Sequence, residues 1–282
     1  MILRRALGLV VAPLSLMVFA VTSVSAAAPS VSLSAPAPKQ GEPIEVIVSG
    51  VAEGEKPPGI KFDGNAYKVF PGADAGTYRA LLGIPADLDP GDYKMQVGEK
   101  TVPVHVRLGK FPLQHLRLPP AKDNFDMSPG EKEAVEGAKA TCSSNRFWAG
   151  NFIRPSKYRT STLFGVKRVV NGHMLKDYFH SGLDFAAPAG SPVVATAPGT
   201  VVLTGRGFKL HGNCVAVDHG QGVVSFYIHL KSISVQKGQH VKAGETLGKV
   251  GQTGRANGPH LHFSIYVNQV ATNPTDWFDH AF

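Results

Sequence analysis

Two histidines, His260 and His262, stand two positions apart in the run G-P-H-L-H-F at residues 258–263. The alternation of this run predicts a strand in which both imidazoles project from one face, while Leu261 and Phe263 point into a core. Two imidazoles on one face are costly to bury without a partner. The pair could bind a metal ion together, or one could bind it while the other moves protons beside it.

Two further runs carry groups of the same chemistry. His180 and Asp184 stand four positions apart, a spacing that shares one face in either a helix or a strand, and Gly182 argues against a helix. His229 lies in the strand-like run 226–230. A ligand set of His, Asp and His suits zinc with one open position for water, and two histidines remain for proton transfer. Taken singly, each could be an ordinary structural residue; their joint occurrence favours a metal site.

The segments around these residues predict a mostly β chain. Between about residues 143 and 276, short apolar runs alternate with glycine turns and no long segment has a helical period, which favours an antiparallel β core. Residues from about 30 to 108 contain several short strands separated by turns rich in Gly, Pro and Asp, which predicts a small immunoglobulin-like β-sandwich.

A Pro-rich joint at 109–124 links the two regions, and the run S-P-G-E at 128–131 follows it. Serine as N-cap, proline at the first helical position and glutamate at the third predict a helix over about 129–141. We expect its charged face to be solvated. This short helix bridges the two β regions.

The N-terminus has the pattern of a secretory signal peptide. Arg4 and Arg5 precede an apolar run over 6–20, and small residues follow, with cleavage expected after Ala26 or Ala28. The apolar run is too short for a membrane span, and no cysteine marks a lipid attachment site. We therefore expect an exported protein, periplasmic or extracellular, without a stable membrane anchor.

The formal net charge of +8 fits weak attraction to anionic polymers and lipid headgroups outside the membrane, without specificity. The positive charges are scattered and no nucleic-acid-binding motif accompanies them, so we expect no nucleic acid partner.

An even cysteine count in an exported protein favours a disulfide between Cys142 and Cys214, with two buried thiols as the alternative. His211 and His219 stand beside glycines in predicted turns, where histidines are usually solvated, and Tyr227 is expected to pack or line a groove.

The three motifs together resemble the lysostaphin-type (LytM-like) zinc endopeptidases of bacterial cell walls. The resemblance rests on H-x-x-x-D at 180–184, Y-x-H-L at 227–230 and G-P-H-L-H-F at 258–263, and it covers roughly residues 155–276. The glycine-rich runs 235–245 and 250–254 also match, although that hairpin alone occurs in lipoyl- and biotinyl-type carriers. The resemblance implies that the zinc ligands are His180, Asp184 and His262. It implies that the two catalytic histidines are His229 and His260.

The same resemblance implies the activity. The expected protein is a zinc endopeptidase that uses zinc-activated water to cut peptide cross-links of peptidoglycan, either the D-Ala–diaminopimelate bond or a glycine bridge. The alternative is a non-catalytic wall-binding protein or hydrolase activator on the same fold, against which the intact set of five residues argues. A carrier module would need a modifiable lysine, Lys237 or Lys242, and would leave the histidines unexplained. We divide the chain into a signal peptide (1–26), a β-sandwich domain (27–108), a linker with helix (109–142) and a zinc peptidase domain (143–282).

Overall fold

The computed structural model describes residues 29–117, 119, 125–176 and 178–282. Within them the chain forms 21 strands and two short helices, which confirms the mostly β prediction. The predicted signal peptide, residues 1–26, lies outside the described residues, as do parts of the predicted linker. No helix in these ranges has the length and apolar character needed to cross a membrane.

The N-terminal strands form a sandwich of two four-stranded sheets. The first sheet has the order β1-β2-β6-β5: Ser30–Leu33, Pro43–Ser49, Tyr78–Gly83, Phe70–Pro71. The second has the order β4-β3-β7-β8: Asn65–Tyr67, Ile60–Phe62, Gly91–Val97, Lys100–Val106. Alternating apolar side chains from both sheets, such as Ile44 and Met95, share one buried core. If the strands are lettered along the chain, the two sheets have the orders A-B-E-D and C′-C-F-G, as in immunoglobulin-like domains. This agrees with the predicted sandwich.

A ten-stranded sheet forms the C-terminal half. Seven strands follow the order β10-β13-β20-β17-β16-β15-β18: Thr160–Thr162, Leu183–Phe185, Leu261–Val267, Val223–Ile233, Gly212–Gly220, Gly199–Phe208, His240–Val241. Three more are β14 (Pro192–Val194), β19 (Thr246–Val250) and β21 (Val270–Thr272), where β19 pairs with β14 and β17, and β21 pairs with β20. Every pairing in this sheet is antiparallel. The central strands are buried on both faces. Their sequences are therefore continuous apolar runs rather than alternating apolar and polar residues.

A small three-stranded sheet ties the linker to this half of the chain. Its order is β12-β11-β9: His173–Met174, Lys167–Val170, Leu113–Leu116. The strand β9 lies in the segment that the sequence predicted to be a Pro-rich joint, and it pairs with β11 in parallel. The part of the predicted joint that contains β9 therefore belongs to the folded body rather than to a free connection.

The first helix, α1, spans Glu131–Lys139, two residues shorter at each end than predicted. Its N-cap is Gly130, and the predicted cap residue Ser128 instead donates its backbone N–H and its hydroxyl to the Glu131 carboxylate, at 2.8 and 2.7 Å. The second helix, α2, spans Pro274–Asp279, and its N-cap Asn273 accepts the backbone N–H of residue 275.

The sandwich packs directly against the large sheet. Asn268, in the turn after β20, donates its side-chain amide to the backbone oxygen of Leu81 at 2.8 Å, and Asn273 donates its backbone N–H to Gly41 at 2.8 Å. Leu81 itself belongs to the hydrophobic core of the large sheet. The two β regions therefore share an interface with both apolar and hydrogen-bonded contacts.

The expected disulfide is wrong. Cys142 and Cys214 are both free thiols, the first half-buried after α1 and the second fully buried on the central strand β16. The sulfur of Cys214 lies against Gly205 of the neighbouring strand β15. The alternative prediction, two buried thiols, is correct for Cys214, whereas Cys142 is only partly buried.

Candidate metal centre

Two paired strands place the central residues of the site. Strands β13 and β20 run antiparallel with Asp184 directly opposite His262 and Leu183 opposite Phe263. Leu183, Leu261 and Phe263 are buried in the core. Because side chains alternate along a strand, Asp184 and His262 project from the opposite face. The predicted alternation of the G-P-H-L-H-F run is confirmed.

Three ligand-type atoms converge on this face. Nε2 of His180 lies 3.0 Å from Oδ1 of Asp184, Nδ1 of His262 lies 2.9 Å from the same oxygen, and the two nitrogens are 2.9 Å apart. In tetrahedral zinc sites, ligand atoms about 2.1 Å from the ion are about 3.4 Å from one another. The three ligand atoms would therefore need to move apart by only a few tenths of an ångström to accommodate one zinc ion.

The outer nitrogen of each ring has a hydrogen-bond partner of its own, so the other nitrogen faces the centre. Nδ1 of His180 donates to the backbone oxygen of Leu163 at 2.8 Å, and Nε2 of His262 lies 2.8 Å from the Ser264 hydroxyl. A neutral imidazole that donates through one nitrogen presents a lone pair on the other. When the inner nitrogens carry no proton, two imidazole lone pairs and a carboxylate oxygen point at one another, an arrangement that suits a cation among them. The donor set fits a metal ion.

The electrostatics agree with that reading. Burial alone would raise the pKa of the Asp184 carboxyl, but the contacts with His180 and His262 hold it well below its ordinary value. Burial lowers the pKa of His262 to about 4, against the opposing effect of Asp184. An ionised carboxylate and a neutral imidazole are the protonation states that metal binding requires.

His229 reaches the site through an irregular backbone. Its φ of 64° lies in the left-handed region, which a non-glycine residue adopts only when the surrounding structure imposes it. The pairing of β17 with β19 shifts register just beyond it. As a result Tyr227, two positions earlier, is fully buried, while His229 lines the cleft. Tyr227 is a packing residue, as expected; its hydroxyl accepts the backbone N–H of Thr196 at 2.8 Å.

His229 and His260 form the opposite side of the centre. Their ring centroids are 4.8 Å apart, and that of His229 is 6.4 Å from His262. Nδ1 of His229 donates to the backbone oxygen of Thr253 at 2.9 Å, and Nδ1 of His260 donates to that of Gly258 at 2.9 Å. Nε2 of His260 lies 3.9 Å from the Asp184 carboxylate. The five predicted site residues thus meet in one place.

These residues line a cleft of about 400 Å³. Its wall includes two guanidinium groups that no sequence motif had singled out. Arg168 donates to the Tyr178 hydroxyl at 2.8 Å and approaches the outer oxygen of Asp184 at 3.8 Å. Arg255 lies 4.0 Å over the ring of Phe125. The cleft therefore combines a cation-type donor set with positive charge in its wall.

The expectation that His211 and His219 are solvated is wrong. His219 is fully buried, with Nδ1 donating to Pro198 and Nε2 beside the Ser225 hydroxyl, each at 2.8 Å. His211 lines the cleft and contacts Glu131 of α1. The charged face of α1 is likewise not all solvated, because the Glu131 side chain is 0% exposed. Partners distant in sequence bury these groups, and local glycines give no sign of them.

Comparisons with known proteins agree with this geometry. The model of peptidase family M23 matches residues 178–274, which include all five site residues. The chain is 41% identical over 123 residues to DD-carboxypeptidase/endopeptidase Mpg of Neisseria meningitidis, and 41% identical over 120 residues to peptidoglycan DD-endopeptidase ShyA of Vibrio cholerae. These matches cover 43% and 42% of this chain but only 28% and 27% of those relatives.

A solved structure extends the likeness over most of the chain. A Pseudomonas aeruginosa protein described as a peptidase M23 is 31% identical, with a TM-score of 0.58, and the alignment covers 84% of this chain and 93% of that one. The likeness therefore includes the N-terminal region as well as the segment that carries the metal centre. On these grounds the chain belongs to peptidase family M23.

Proposed function

We propose that this chain is an exported, zinc-dependent endopeptidase that hydrolyses peptide cross-links of bacterial peptidoglycan. The observation that carries the proposal is the convergence of three ligand-type atoms, from His180, Asp184 and His262, within 3.0 Å of one another. Two relatives named as peptidoglycan or DD-endopeptidases match the part of the chain that contains these residues. The proposed periplasmic or extracellular location rests on the predicted signal peptide.

The three ligand residues would bind zinc, which supplies a Lewis acid for the peptide carbonyl and lowers the pKa of water. His229 and His260 would handle protons. Each ring is tied through Nδ1 to a backbone oxygen, so each offers Nε2 to the cleft as a proton acceptor. Cutting an amide requires a proton to leave the attacking water and a proton to reach the departing amine, and these two rings would carry out both transfers.

The cleft wall supports a peptide substrate that bears free carboxylates. Arg168 and Arg255 bring positive charge to its wall, and guanidinium groups favour carboxylates. Stem peptides of peptidoglycan carry such groups. The D-Ala–diaminopimelate cross-link is the proposed scissile bond, with a glycine bridge as the other candidate.

The direct test uses the purified mature protein and isolated peptidoglycan. Mass spectrometry of the released muropeptides should show cleaved cross-links, and a chelator should abolish the cleavage while added zinc restores it. The protein should contain one zinc ion per chain. Bound zinc without any cleavage, or an intact wall and no metal, would instead indicate a wall-binding protein or an activator of other hydrolases.

Two variants separate the ligand from the proton-transfer role. His262→Ala should lose zinc and activity together, because it removes a ligand atom. His229→Ala should keep zinc while its turnover falls by at least about 100-fold, the scale of a lost general acid–base group. If His229→Ala loses its metal instead, the proposed ligand set is wrong.

A further inference from the structure

A carboxylate outside the metal centre is buried with an unusual number of donors. Glu131, the first residue of α1, has a side chain that is 0% exposed. It accepts the backbone N–H and hydroxyl of Ser128, and the backbone N–H groups of Lys209, Leu210 and His211 at 2.9, 3.1 and 2.9 Å. Burial alone would raise the pKa of Glu131, but these bonds hold it at about 2. A buried charge with this many partners is a built feature.

The sixth donor is a side chain that lines the cleft. Nδ1 of His211 donates to Oε1 of Glu131 at 2.8 Å. The bond fixes the tautomer of the ring, so Nε2 carries a lone pair in the neutral imidazole. No other described residue is recorded as a hydrogen-bond partner of that nitrogen. The His211 side chain is 15% exposed and lines the same cleft as His229 and His260.

The turn that carries His211 is also linked to a proposed catalytic residue. The backbone oxygen of His211 accepts the N–H of His229 at 3.0 Å. His229 holds a left-handed backbone conformation there. Glu131 therefore holds three successive N–H groups of a turn that touches the cleft through both its backbone and one imidazole.

We propose that His211 is a further substrate-binding residue of the cleft, and that Glu131 is its positioning residue. In this assignment Nε2 of His211 accepts a hydrogen bond from an N–H group of the bound peptide. Glu131 never touches the substrate; it orients the ring through Nδ1 and fixes the turn. The inference rests on the proposed function for the class of ligand, a peptidoglycan stem peptide.

The test measures the dissociation constant of a purified cross-linked muropeptide dimer on the full mature chain. Chelator is present so that binding is read without turnover. His211→Ala should weaken binding about tenfold, the scale of one lost hydrogen bond in a cleft. His240→Ala is the matched control, because His240 is an exposed histidine of the same sheet that bonds to Thr200. It should bind as the unaltered protein does.

His211→Asn separates binding from scaffolding. The asparagine amide can donate to Glu131 from the position of Nδ1 but offers nothing at the position of Nε2. It should keep the unfolding temperature of the unaltered protein while binding as weakly as His211→Ala. If His211→Asn has both the unfolding temperature and the binding affinity of the unaltered protein, the imidazole serves only to hold the turn and the proposal is overturned.

Glu131→Gln tests the positioning role. Glu131→Gln should weaken binding. The double variant Glu131→Gln/His211→Ala should bind the dimer no more weakly than the single variant with the lower affinity, because both substitutions act through one ring. Additive losses would contradict this. Should Glu131→Gln not fold, the two His211 variants still decide the matter.

The outcomes separate this inference from the proposed function. If the unaltered protein cleaves peptidoglycan but the His211 variants bind the dimer normally, the inference fails and the function stands. If the unaltered protein binds the dimer without cleaving it even with zinc, and His211→Ala loses that binding, the function fails and the inference stands. A protein that does not bind the dimer and does not cleave peptidoglycan with zinc overturns both.

Discussion

Gly182 offers a sharp test of how the metal centre is held together. It stands between His180 and Asp184, directly before β13, and packs against β20. A Cβ added at Gly182 would lie 2.1 Å from the backbone oxygen of Phe263 and 2.6 Å from the Ser264 hydroxyl. The nearest atom belongs to the backbone, so Gly182→Ala can be accommodated only if the two strands separate.

The size of the effect follows from that distance. Real Cβ contacts essentially never fall below 3.0 Å, so the strands must separate by about 1 Å locally. Overpacking of this kind costs about 1–3 kcal/mol, which for a chain of this size lowers the unfolding temperature by about 2–10 °C. Metal sites tolerate about 0.2 Å in ligand distances. We therefore expect zinc affinity to fall by about 10- to 100-fold, because Asp184 and His262 lie on the two strands that separate.

The assay combines competitive zinc titration with thermal unfolding in chelator. Gly137→Ala in α1 and Gly258→Ala beside the two cleft histidines are matched controls, since a Cβ at either position meets nothing within 4 Å. Both controls should retain zinc. Unaltered zinc affinity and unfolding temperature in Gly182→Ala would refute the idea that close packing of β13 on β20 sets the ligand geometry.

Three further predictions follow from buried groups. Burial lowers the pKa of His219 to about 4 from an ordinary value of 6.5, so the unfolded chain gains a proton that the folded chain excludes between these pH values. The free energy of unfolding should thus fall by up to about 3 kcal/mol from pH 6.5 to pH 4, and His219→Asn should flatten that slope in denaturant titrations; an equal slope would contradict it. Cys142 and Cys214 should both react with a thiol reagent in denaturant without reductant, and in the folded protein Cys214, whose pKa burial raises to about 12, should react far more slowly; no reactive thiol would indicate a disulfide. Tyr227→Phe leaves a buried backbone N–H unpaired and should cost about 1–3 kcal/mol by denaturant unfolding, whereas Tyr93→Phe, which loses an exposed bond, should cost less.

The sequence was informative where the physics is local. Alternation along a strand is set by backbone geometry, so the face of His262 could be read from the burial of Leu261 and Phe263. The sequence predicted sandwich strands at residues 44–48, 78–84, 93–97 and 101–106. The structure has them within two residues of these bounds: Pro43–Ser49, Tyr78–Gly83, Gly91–Val97, Lys100–Val106. The joint occurrence of His180, His229 and His260 favoured a metal site, whereas their individual roles came from the resemblance and remain predictions.

Contacts between distant segments could not be read in this way. The bond between Glu131 and His211 joins residues 80 positions apart, and the S-P-G-E run identified a helix start without indicating what its glutamate would reach. The left-handed backbone at His229 is imposed by neighbouring strands and has no local signature. An even cysteine count suggested a disulfide, but it carries no information on whether two sulfurs meet.

The first helix has a consequence for expression of shorter forms of the protein. A boundary placed at residue 143, where the peptidase domain was predicted to begin, would discard Glu131 and leave three backbone N–H groups of residues 209–211 without their acceptor. We expect recombinant fragments that start after α1 to be less stable than those that start before Ser128. We therefore expect the smallest autonomous unit to begin within the segment that the sequence predicted to be a linker.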